Sequence, residues 1–237
     1  LHKLKYRLIC RIGLPLWVSA LLLGCASGTN PMSDALSALA AQAFASGDTA
    51  VLGVKLNPQY RYLRVEVVGH AAALMVLGYI DPHPLGDIEV WYSGNGEVIR
   101  TQNGRIVATS GLPIDWRAVR FASNPPPWSA VPAEGAFYQR SRDEMPLHRY
   151  AISERLKLAR LADQPTAVQV APLPLAQARA ATWFREDTLS STAEPVPSAL
   201  FAWGNYAGQG AVVYSYQCLS ATFCLKLMPW PVQEVAP

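Results

Sequence analysis

Asp87 to Leu112 reads DIEVWYSGNGEVIRTQNGRIVATSGL, and its two Asn-Gly pairs decide the fold class. Asn95-Gly96 and Asn103-Gly104 each separate runs in which apolar and polar residues alternate. Asn and Gly tolerate the positive φ that both central residues of a type I′ turn require. The pairs therefore predict two tight hairpins and a three-stranded antiparallel meander. Two-residue turns also set a register. Tyr92 falls opposite Ile99 and Trp91 opposite Arg100 around the first turn; Ile99 falls opposite Ala108 and Arg100 opposite Val107 around the second. One face then carries Ile88, Val90, Tyr92, Ile99, Ile106 and Ala108 as a core surface. The other carries Glu89, Trp91, Arg100, Gln102, Arg105 and Thr109 and is expected to face water or a partner.

Outward from this meander the chain is mostly strand. Leu63, Val65 and Val67 alternate with Arg64 and Glu66, and Ala71–Tyr79 forms a second, more apolar run with His70 at the turn between them. Asp115–Ala122, rich in Arg117 and Arg120, predicts another strand. Asn124-Pro125-Pro126-Pro127-Trp128 then breaks the pattern with an extended, polyproline-like loop running through Pro132. Leu147–Ala162 alternates well enough to favour a strand, with Ala167–Ala171 as its expected neighbour. Ala180–Leu189 contains Trp183-Phe184, and Leu200–Tyr206, Ala211–Cys218 and Phe223–Met228 complete a strand series punctuated by Gly204, Gly208 and Gly210. Ahead of the strands, Ser33–Ser46 has helical spacing over Leu36, Leu39, Ala40, Ala43 and Phe44, with Ser33 as cap and Gly47 as stop. The expected fold is mainly β, a curved antiparallel sheet or barrel-like meander with one N-terminal helix. No repeat or composition break divides residues 32–237, so one domain is expected there, after a signal at 1–24 and a tether at 25–31.

The N-terminus accounts for the basic balance of the chain. Lys3, Lys5, Arg7 and Arg11 precede an apolar run of 13 residues, Ile12–Gly24. A membrane-spanning helix needs roughly 20 apolar residues, so this run matches a secretory signal instead. It ends in Leu22-Leu23-Gly24-Cys25, which is similar to the lipobox of bacterial lipoproteins, where cleavage precedes a cysteine that is then acylated. Each buried acyl methylene contributes about 0.8 kcal/mol, so several chains on Cys25 would hold the protein firmly to a bilayer. Without the four signal cations, 20 basic residues fall to 16 against 17 acidic ones, and net charge moves from +3 to −1. A nucleic-acid partner is not expected, because no basic run remains to neutralise phosphates.

Four cysteines occur. Cys10 leaves with the signal and Cys25 takes lipid, which leaves Cys218 and Cys224 six residues apart. That spacing suits facing strands of a hairpin, and an oxidising compartment favours a disulfide between them. Its short loop implies a contribution of only about 2 kcal/mol.

Catalytic patterns are scarce. The histidines are scattered, no metal-ligand spacing occurs, and phosphate-binding, dinucleotide and nucleophile-elbow motifs are missing. No cofactor or metal is expected. The carboxylate pairs Asp87/Glu89 and Asp143/Glu144 satisfy the minimum for glycoside chemistry, but such pairs arise in any chain of this length. Trp91, Arg100 and Arg105 are the residues expected to contact a polymer or partner: an indole face stacks on sugar rings and guanidinium groups bind acidic substituents.

The segment Gly96–Ile106, matching G-x-V-x-R-x-x-N-G-R-I, together with the tryptophan strand before it and the lipobox, resembles the YjbF/GfcB family of group 4 capsule (exopolysaccharide) lipoproteins. The resemblance implies an outer-membrane, lipid-anchored accessory protein facing the periplasm, without catalytic activity, that assists exopolysaccharide or capsule secretion or assembly by binding or scaffolding alongside envelope secretion proteins. Two other expectations stand beside it. A lipid-handling lipoprotein resembling the LolB type would show an apolar cavity open at one end of the sheet. A polysaccharide-modifying enzyme would bring two or more carboxylates, or a His/Tyr/Arg group, together in one cleft.

Overall fold

A computed structural model describes residues 55–166 and 170–232. Their framework is one antiparallel sheet of twelve strands that curls into a nearly closed barrel. The strands are β1 (Tyr62–Val67), β2 (Ala72–Asp81), β3 (Ile88–Tyr92), β4 (Val98–Gln102), β5 (Arg105–Ser110), β6 (Asp115–Phe121), β7 (Ala136–Met145), β8 (Arg149–Arg160), β9 (Thr182–Ser191), β10 (Ala199–Tyr206), β11 (Gln209–Cys218) and β12 (Cys224–Trp230). Their spatial order is β5-β4-β3-β2-β1-β12-β11-β10-β9-β8-β7-β6. Chain neighbours pair as hairpins nearly everywhere, and β1 with β12 joins the two halves. The ends of this order, β5 and β6, are consecutive in the chain, so the barrel seam lies inside a sequence-local corner. Asp115 ties that corner: its carboxylate accepts from Thr109 Oγ1 at 2.8 Å and from the Gly111 amide at 3.0 Å.

The predicted meander is present as β3–β4–β5, but its register differs from the two-residue count. Around the first turn Trp91 pairs with Ile99 and Tyr92 with Val98. Gly94-Asn95-Gly96 forms a three-residue loop in which only Gly96 takes positive φ, +91°, and the Ser93 amide donates to Glu97 O at 3.0 Å. This is the hairpin with a left-handed glycine in third place, not the type I′ turn. A one-residue change reverses every side chain beyond it, so Trp91 moves from the expected wet face into the core. The second turn follows expectation, with Asn103 at φ +50° and Gly104 at +79°. Thr101 pairs with Ile106, then a bulge at Val107 sets Arg100 opposite Ala108 and Ile99 opposite Thr109.

The strand reading of Leu147–Ala162 corresponds to β8, whose neighbours are β7 and β9; most of the Ala167–Ala171 run expected beside it lies outside the described residues. The β7 strand was not anticipated. Cys218 and Cys224 face each other at the head of the β11–β12 hairpin and form the expected disulfide. The expected N-terminal helix at Ser33–Ser46, the signal and the tether lie outside the described residues; the helix that the structure adds is a short one in mid-chain, α1 (Leu175–Ala180).

Apolar packing comes in inner and outer groups. Inside, Leu63, Val65, Met75, Trp91, Ile99, Ile106, Trp116, Leu225 and Leu227 fill one lobe. Trp128, Tyr138, Leu156, Leu158, Phe184 and Phe201 fill the other. Outside, Ala178 of α1 packs with Trp183, Ala202, Tyr214 and Met228 and covers β9–β12. Full burial of a large apolar side chain contributes roughly 1.5–3 kcal/mol, so these groups hold the curl of the sheet.

Candidate functional site

The β4–β5 turn reaches across the barrel to β11, six strands away in the sheet order. Gln217 of β11 grips both sides of this turn, accepting from the Ile106 amide at 2.9 Å and donating to Gly104 O at 2.9 Å. The indole of Trp128, from the proline loop, donates to Asn103 O at 3.0 Å. Gly104 lies against Val212 so closely that a Cβ would sit 2.5 Å from it. The positive φ and the close approach together require glycine here.

Beyond the turn, Arg105 starts a buried chain of charges. Its Nε donates to Glu186 at 3.0 Å, and its guanidinium stacks 4.0 Å from the Trp128 ring centre. Burial works to lower the pKa of Arg105, but Tyr138 and Glu186 beside it prevail and hold it above the usual arginine value. Tyr138 donates its hydroxyl to the same carboxylate; burial first, then the Glu186 charge, pushes its phenol far up. Arg140 bridges Glu186 at 3.4 Å and Glu154 at 2.6 Å. Arg142 continues from Glu154 at 3.1 Å to Glu144, which also holds Arg149 near the surface. Trp116 lies under the two central arginines, at 4.7 and 4.8 Å. Three buried arginines thus face three buried glutamates, and the chain balances its own charge.

A second feature lies at the seam. Past the Thr109–Asp115 tie, β5 and β6 run on without a hydrogen-bonded ladder between them and bound a cleft of about 310 Å³. Leu85, Ile88, Val107 and Phe121 line it, and Arg100, Arg117 and Arg120 stand around it. Arg100 pairs with Asp81, and Arg120 pairs with Asp143 at 2.9 Å. Asp143 also accepts from the Ala151 amide at 2.8 Å; that bond foremost, with Arg120, holds its carboxyl below the usual range.

The structure separates the three residues expected to contact a polymer. Trp91 is enclosed, and its indole donates to Thr101 Oγ1 at 3.0 Å, so no ring face remains for an external sugar. Arg105 is enclosed in the charge chain. Arg100 alone reaches the surface, at the seam. Of the carboxylates, Asp143 and Glu144 point to opposite sides of β7, and Glu89 pairs with Arg61. Sequence reading missed Tyr138, Arg140 and Arg142 and took Glu144 only as half of a carboxylate pair with Asp143, although the spacing by two in FYQRSRDE is the sign of one strand face.

These arrangements rest on segments that a known family shares. A family model described as group 4 capsule polysaccharide lipoprotein gfcB, YjbF, matches residues 54–225. The chain belongs to this family. The matched YjbF region contains the whole meander, the charge chain and the seam. In three dimensions the chain is similar to the crystal structure of the hypothetical lipoprotein YmcC from Escherichia coli (K12), with TM-score 0.55 and 18% identity. That likeness covers 80% of this chain and 90% of YmcC, and it concerns the fold. No curated protein matches by sequence. The YjbF-like segment Asn103-Gly104-Arg105-Ile106 thus has a structural reason: carbonyl to Trp128, glycine against Val212, arginine into the charge chain, and amide to Gln217.

Proposed function

We propose that this protein is a lipid-anchored accessory protein of the outer membrane that assists exopolysaccharide or capsule secretion or assembly by binding or scaffolding, without catalysis. Membership of the capsule polysaccharide lipoprotein family is the observation that carries this reading. The lipobox at Leu22–Cys25 supports the anchor, with acyl chains on Cys25 and the barrel facing the periplasm. A binding role accords with the charge chain, since each buried glutamate is already engaged by arginine donors. A LolB-like lipid carrier needs an apolar cavity, whereas the described interior holds the β4–β5 turn and buried Arg105, Arg140, Arg142, Glu144, Glu154 and Glu186.

The test has two parts. Deleting the gene should reduce the polysaccharide at the cell surface, and the wild-type copy should restore it. A Cys25→Ser copy should leave the protein soluble in membrane fractionation and should fail to restore export. Continued tight outer-membrane association of Cys25→Ser would refute the anchor, and unchanged polysaccharide after deletion would refute the role.

A further inference from the structure

The seam between β5 and β6 has three properties that no single packing requirement explains. First, it is a concavity at the lower end of the size range of small-ligand pockets. Second, its charge is unbalanced: Arg100 and Arg120 each have a carboxylate, whereas Arg117 is exposed and its guanidinium donates to Ser110 Oγ at 3.1 Å with no ion pair among the described residues. The Nε of Arg100 is buried without a hydrogen-bond partner. Third, no ladder joins β5 to β6 across the cleft, and the strand-edge groups there that no side chain engages are open to a polar partner.

We propose that this seam binds a segment of an acidic polysaccharide. A sugar carboxylate meets the unpaired Arg117 with Arg120 beside it, matching the forked donors of guanidinium. The apolar face of the ring lies on Leu85, Ile88, Val107 and Phe121, and ring hydroxyls reach the strand edges. The ligand is anionic because the cations outnumber their carboxylates, and a saccharide because apolar floor and open backbone groups occur together. The proposal rests on the exopolysaccharide reading above and gives it a ligand class and a site.

The test titrates the detergent-purified full-length lipoprotein with galacturonate oligomers, and with neutral dextran oligomers of equal length, by calorimetry. An Arg117→Gln/Arg120→Gln variant removes two seam charges. An Arg155→Gln/Lys157→Gln variant removes two charges from β8, beyond β7 from the seam, where these cations lie against the exposed Phe137 ring at 5.4 and 5.8 Å. Galacturonate should bind the wild type and the Arg155/Lys157 variant alike, at least tenfold more weakly the Arg117/Arg120 variant, and dextran should not bind. All variants should melt as the wild type does.

Equal weakening by both variants would mean general charge attraction and would overturn the site. So would equal binding of dextran, or no binding of galacturonate by the wild type. An envelope protein that co-purifies through the seam, undisturbed by galacturonate and lost in the Arg117/Arg120 variant, would assign the cleft to a protein partner and equally overturn the proposal. In cells, a deletion that leaves export intact defeats the broader reading. A deletion that impairs export but is fully restored by the Arg117/Arg120 variant defeats the seam alone.

Discussion

At Gly104 and Gly96 the same residue type meets two different demands. Gly104 stands at φ +79° with Val212 2.5 Å from a would-be Cβ; Gly96 stands at φ +91° with nothing within 4 Å. Gly96→Ala should therefore cost about 1–2 kcal/mol, the penalty of left-handed backbone alone. Gly104→Ala adds overpacking against the barrel wall and should cost about 3 kcal/mol or more. Urea unfolding of the two variants checks this; equal losses would mean that the β4–β5 turn does not press on β11. Both glycines were legible as turn residues, but the contact with Val212 was not, because it joins positions more than a hundred residues apart.

The element that best separates pattern from burial is β7. Its residues alternate cleanly, yet Arg140, Arg142 and Glu144 look like a solvent face and instead point inward. Burying such charges is tolerable only when each finds a partner, and the partners come from β8 and β9. Glu154 of β8 holds both Arg140 and Arg142. Replacing it by Gln leaves two buried guanidinium groups short of a charge and should destabilise the protein by about 3–5 kcal/mol. An exposed pair such as Arg185 with Asp187 should contribute under about 1 kcal/mol when either partner is neutralised. Denaturant midpoints of Glu154→Gln and Asp187→Asn measure the contrast, and a loss as small for Glu154→Gln as for Asp187→Asn would contradict the buried chain. The same inversion explains why Arg105 read as a surface residue.

For the whole molecule, buried phenols set an alkaline limit. Tyr138 is pushed up by burial and the Glu186 charge, and Tyr214 by burial and then Glu66. Both phenols stay protonated in the fold when the unfolded chain ionises near pH 10. The folded state then holds more protons, so stability is fully present below about pH 10 and declines as pH rises beyond it. Each tyrosine contributes up to about 1.4 kcal/mol per pH unit to that decline. Tyr138→Phe should therefore flatten the fall of unfolding free energy between pH 10 and 11.5. An unaltered alkaline slope would show that this phenol ionises as freely in the fold as in the unfolded chain.

Local chemistry was enough to establish most of the antiparallel strand series other than β7, the second Asn-Gly turn and the Cys218–Cys224 hairpin, because each depends on residues a few positions apart. Alternation with period two reveals that a strand has two faces, but not which face is inside. That choice was made by the tertiary structure. The three-residue first turn rotated Trp91 into the core, and Glu186, 81 residues from Arg105, supplied the charge that lets an arginine be buried. The seam likewise exists only in three dimensions: β5 and β6 meet at a corner tied by Asp115 and close the sheet on itself without a ladder between them.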